Sequence, residues 1–167
     1  MKKILLITTI IISLLVINKE DKVIIPDEAI RFRVIANSND EEDQELKKKV
    51  VSNLGEVLTS VEKDNLEDTK KAINAKLPEF EKVVNKTLED NNIKKDFNIN
   101  YGLNYFPKKE YQEVIYPEGE YESLVITLGE GEGKNFWCVL FPPLCLIDEE
   151  HPNNYKSFVK ELIEKYF

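Results

Sequence analysis

Between Asn91 and Phe97 the apolar residues of this chain change their spacing from about 3.6 to 2, which divides the sequence into a helical half and a strand half. Before the change, Leu46, Val50, Leu54, Val57, Leu58 and Val61 fall on one face of a helix. A second stripe, starting near Asn65, runs through Leu66, Ile73, Leu77, Phe80, Val84 and Leu88 until Asn91 and Asn92 stop it. Pro78 lies inside this stripe and predicts a kink or break, because its ring removes one amide donor and clashes with the preceding turn. After the change, Phe97, Ile99, Tyr101 and Leu103 alternate with Asn98, Asn100 and Gly102 as a strand. Further strands are expected over residues 111–116, 121–128 and 135–141. The first two are joined by a type I turn at Pro117-Glu118-Gly119-Glu120 and paired antiparallel, and the last is preceded by a turn over 129–134. One strand precedes the helices: over residues 30–35, Arg31 and Arg33 alternate with Phe32 and Val34. Ser38 and Glu41 then have the spacing of a capping box. Tyr155, Phe158, Leu162 and Phe167 suit a short closing helix. The expected fold is therefore α+β: a single domain with a mostly antiparallel sheet, two long helices inserted after the first strand, and a short C-terminal helix.

A chain of 167 residues is long enough for one domain with a proper core. Its 31 acidic residues outnumber 23 basic ones, a net charge of −8, so phosphate backbones and anionic lipid surfaces repel it and nucleic acid is not an expected partner. The N-terminus reads as an address. Lys2 and Lys3 precede an apolar run over residues 4–17, polar only at Thr8, Thr9 and Ser13, and the charged stretch Lys19, Glu20, Asp21, Lys22 follows it. A basic start before an apolar core shorter than the roughly 20 residues of a full span is the pattern of a secretory signal. No small-x-small cleavage pattern follows at Val16, Ile17, Asn18 and Lys19, which leaves a cleaved signal and an uncleaved anchor both open. The division is residues 1–20 as signal peptide or membrane anchor, 21–29 as a linker containing Pro26, and 30–167 as the domain. Membrane contact is expected only through the N-terminal segment.

Chemistry-bearing constellations are few. Gly129-Glu130-Gly131-Glu132-Gly133 carries two carboxylates and is followed by a strand rather than the helix of a phosphate loop, and reads as a flexible turn whose glycines permit positive φ. Cys138 and Cys145 are either a disulfide across a tight loop or two free thiols, and with His151 they supply at most three metal ligands, so neither metal nor cofactor is expected. Phe136 to Phe141 is apolar on both faces of its strand and continues into Pro142-Pro143-Leu144. Either other elements cover both faces or a partner covers one. Arg31 and Arg33 on the outer face of a strand are either local charge balance or a fork for a partner's carboxylates.

Several strings, in fixed order, resemble one family. They are Ile30-Arg31-Phe32-Arg33-Val34-Ile35-Ala36-Asn37-Ser38 with Glu42-Asp43-Gln44, then Tyr116-Pro117-Glu118-Gly119-Glu120-Tyr121, Gly129-Glu130-Gly131-Glu132-Gly133, and Trp137-Cys138-Val139-Leu140-Phe141-Pro142-Pro143-Leu144-Cys145. Together they resemble stage II sporulation protein R, with Phe136 standing where that family often has a second tryptophan. The resemblance implies a non-enzymatic signal made in the forespore of an endospore-forming bacterium and exported to the space between forespore and mother cell. There it implies activation of a membrane-embedded aspartic protease that processes pro-sigma-E. Arg31, Arg33, Asn37, Ser38, Trp137, Phe141, Pro142 and Pro143 are the candidate partner-binding residues. An exported thiol hydrolase using Cys138 or Cys145, and a wall-associated structural module, are the alternatives.

Overall fold

The computed structural model describes residues 22–111, 113–144 and 155–167. The expected export segment and Cys145 lie outside these residues. Among the described residues no helix is long and apolar enough to cross a membrane.

The core sheet has four strands in the order β3 (Phe97–Phe106), β6 (Gly119–Leu128), β2 (Ile30–Ile35), β7 (Asn135–Phe141). β2 runs parallel to β6 and antiparallel to β7, and β3 is antiparallel to β6. One face carries Phe32, Val34, Leu124, Ile126 and Leu128, all fully buried against the helices. Those helices are α1 (Glu41–Asn53), α2 (Gly55–Val61) and α3 (Leu66–Asp90). The six stripe residues from Leu46 to Val61 are all buried, as the periodicity requires, although the chain interrupts its helix at Leu54. Leu54 keeps helical angles and its amide still donates to the Val50 carbonyl, so the interruption leaves the stripe in phase.

Two helix features differ from expectation. The capping box does not form: Asp40 is the N-cap of α1, and the Ser38 hydroxyl instead accepts from the Asp40 amide. Pro78 does not break α3, which continues for 25 residues from its N-cap Asn65, whose side chain accepts from the Asp68 amide.

The strand half also differs. Residues 111–116 do not form one strand paired with 121–128. They contribute to β4 (Lys109–Tyr111) and β5 (Val114–Tyr116), which pair with each other around Glu113 at φ 66°. β5 also pairs parallel with β1 (Val23–Ile24), a strand lying within the expected linker. In place of a type I turn, Gly119 opens β6 opposite Phe106. The physical reason lies in Leu124-Val125-Ile126, buried on both faces, which makes β6 an interior strand that needs two neighbours. The small sheet and α4 (Tyr155–Tyr166) enclose a second core of Val23, Ile25, Val114, Tyr116, Val139 and Val159. β7 is thus covered on both faces over its C-terminal half, with a register shift opposite Ile30 and Arg31 that leaves Leu140 unopposed.

Candidate partner-binding face

Strand alternation sends Arg31 and Arg33 to the sheet face opposite the three helices, where they meet aromatic rings rather than carboxylates. The Arg31 guanidinium stacks 3.2 Å from the ring centre of Tyr121 and 5.4 Å from that of Phe106. Arg33 lies 4.9 Å from Phe106 and 5.6 Å from Trp137, its cross-strand neighbour. Lys109 of β4 sits 5.1 Å over the other end, against Trp137. The result is a ladder of rings and cations, tightened by the edge-to-face contact of Phe106 with Trp137 at 5.2 Å. Ser123, small and fully buried opposite Arg31, leaves room for the guanidinium.

Arg31 is only 1% exposed, and its Nη1 donates to the Pro117 carbonyl at 3.1 Å. Its Nε and Nη2, and Nε of Arg33, are buried without a hydrogen-bond partner among the described residues. Burial lowers the pKa of both arginines; for Arg31 the neighbouring Tyr121 partly offsets this.

Of the residues singled out in the sequence, the fold brings Arg31, Arg33 and Trp137 onto this one face. Asn37 and Ser38 lie beyond the end of β2 and are engaged internally. Both donate to the Asp43 carboxylate at 2.7 Å, and the Asn37 side-chain oxygen accepts from the Glu130 amide at 3.1 Å. Lys95 also pairs with Asp43. Burial opposes the Asp43 charge, but hydrogen bonds from Asn37, Lys95 and Ser38 outweigh it and hold the carboxyl at about 2. This cage straps the glycine turn to the start of α1, with the Gly133 amide donating to the Ala36 carbonyl at 2.9 Å. The turn has the expected positive φ at Gly129 and Gly131, and is packed rather than loose. Phe141 and Pro142 are buried and Pro143 is half-buried. Phe141 packs edge-on against Tyr166 at 5.0 Å and Phe167 at 5.9 Å. Cys138 is disulfide-bonded.

Phe106, Tyr121 and Lys109 were not singled out. A signal for Phe106 was present: along β3 the residues facing away from the helices are Asn98, Asn100, Gly102 and Asn104, and Phe106 is the apolar exception on that polar face.

The family profile of stage II sporulation protein R matches residues 26–151. The stage II sporulation protein R of Bacillus subtilis (strain 168) is 40% identical over 133 residues, covering 78% of this chain and 59% of its own length. The chain therefore spans less than two thirds of that relative. No solved structure matches. A profile running from the residues before β2 to beyond β7 takes in the arginine–aromatic ladder and the Asp43 cage alike, and the chain belongs to the stage II sporulation protein R family.

Proposed function

We propose that the protein is an exported forespore signal that activates the membrane-embedded aspartic protease processing pro-sigma-E in the mother cell. The observation that carries this reading is the outer face of the sheet. The half-buried Arg33 and Trp137, backed by the buried Arg31, Phe106 and Tyr121, have the composition of a recognition surface, rich in the aromatic and arginine side chains that anchor protein interfaces. The basic-apolar N-terminus supports export, as does the bonded state of Cys138, whose pairing to Cys145 is part of this proposal. The same bond speaks against the thiol hydrolase, which needs a thiolate at its nucleophile. Activation then follows if the face binds the active state of the protease more tightly than the inactive one.

The test is reconstitution in a non-sporulating host, co-expressing the full chain, the protease and pro-sigma-E and following cleavage by immunoblot. Cleavage only when the chain is present and exported is the expected result. Cleavage without the chain, or none with all three stably made, overturns the reading.

A further inference from the structure

We infer that the Arg31–Arg33 face is a receptor for a single carboxylate, an acidic side chain presented by the partner protein among the rings of Tyr121, Phe106 and Trp137. This rests on the partner-binding reading above and names the chemistry of what is bound.

Three observations lead to it. The 23 basic residues of the chain comprise 21 lysines and only two arginines, and both arginines stand on this face. Lysine serves every other cationic position, so what is selected here is the planar fork that lysine lacks. The second is which atoms are unpaired. Nη1 of Arg31 is engaged with Pro117, while Nε and Nη2, which together form the side-on edge that grips a carboxylate with two parallel hydrogen bonds, have no partner among the described residues. The third is charge. Although the chain holds 31 acidic residues, neither arginine takes part in an ion pair among the described residues. Two cations in an acidic chain, buried beside rings and in direct contact with none of the described carboxylates, Asp27 acting on Arg31 only from farther off, are complementary to an acid from outside.

The occupant is a carboxylate rather than a phosphate or an anionic lipid surface because the net charge of −8 repels multiply charged ligands, whereas one carboxylate on an otherwise neutral segment meets only the local field. Arg33, half-buried, receives it. Arg31, 1% exposed behind the fully buried Phe106, backs Arg33 from the interior and adds its charge to the local field there.

Trp137 is the one tryptophan of the chain and sits in this ladder, so its fluorescence reports occupancy. The full chain is titrated with N-acetyl-Phe-Glu-amide, with N-acetyl-Phe-Gln-amide and with inorganic phosphate. A saturable change in Trp137 emission with the Glu peptide alone is expected. Arg33→Gln and Arg33→Lys, each checked for native circular dichroism, should both weaken it by about tenfold, the lysine variant because it keeps the charge and loses the fork. No saturation by about 50 mM, equal response to the Gln peptide, tighter binding of phosphate, or an unaffected Arg33→Lys overturns the inference. Reconstituted processing separates the two readings. If cleavage depends on the chain but Arg33→Gln and Arg33→Lys both support it fully, the carboxylate receptor falls and the signal stands. If the Glu peptide binds as expected while cleavage never depends on the chain, the signal falls and the receptor stands.

Discussion

The Asn37 side-chain amide donates to the Asp43 carboxylate at 2.7 Å, joining the end of β2 to the first turn of α1 through Asp43, a residue only 4% exposed. With Ser38 and Lys95 it holds the Asp43 carboxyl at about 2 against 3.8 for a free aspartate. A carboxyl lowered on folding contributes stability that is full above the unfolded value and disappears as the pH falls through the folded one. Asp43→Asn should therefore cost about 2 kcal/mol in urea unfolding at neutral pH. The gap to wild type should narrow between about pH 4 and pH 2. A constant gap across that range would mean the carboxylate is not stabilised by this cage.

The glycine turn makes a second, purely steric test. A Cβ on Gly133 would stand 2.1 Å from the Ser38 carbonyl oxygen, a backbone atom that cannot swing away, whereas one on Gly55 in α2 meets nothing within 4 Å. Gly133→Ala should destabilise by about 1–3 kcal/mol, as overpacking does. Gly55→Ala should stabilise by roughly 0.5–1 kcal/mol, as expected within a helix. Equal effects at the two positions, measured by denaturant midpoints, would show that the turn is not packed against Ser38.

The helical half of the fold was legible because burial there follows one simple period: every apolar position from Leu46 to Val61 that the stripe predicts is buried. Strand existence was also legible, and β7 spans Asn135–Phe141 as its composition indicates. Partnership was not. Val114 and Tyr116 look like the mate of residues 121–128, yet alternation reports only which face a residue takes and says nothing of which strand lies alongside. The clue was the doubly buried Leu124-Val125-Ile126, which demands an interior place. Of the candidate site, Arg31, Arg33 and Trp137 could be nominated by type and parity, but their joining through Phe106 and Tyr121 depends on the order β3, β6, β2, β7, which sequence spacing does not encode.

Trp137 and Phe141 lie four residues apart on one strand and should behave differently. Phe141 is 2% exposed in the core beside Tyr166, so Phe141→Ala should lose about 3–5 kcal/mol of stability. Half-buried Trp137 is on the outer face, so Trp137→Ala should cost less stability while abolishing protease activation in the reconstituted system. Full activation by a folded Trp137→Ala variant would remove that face from the interface.

Pro78 sets sequence propensity against packing. An internal proline costs a helix about 3 kcal/mol, yet α3 runs unbroken from Leu66 to Asp90 because Ile73 on one side of it and Phe80, Val84 and Leu88 on the other are buried in the same core. Pro78 itself is exposed, so its ring displaces no core atom. Pro78→Ala restores an amide donor to the helix, with a smaller loss from the freer unfolded chain, and should stabilise by about 2 kcal/mol in urea unfolding. A variant that is unchanged or weaker would show that the proline sets the course of α3, aiming Phe80 and Val84 into the sheet, and that a straighter helix packs them less well.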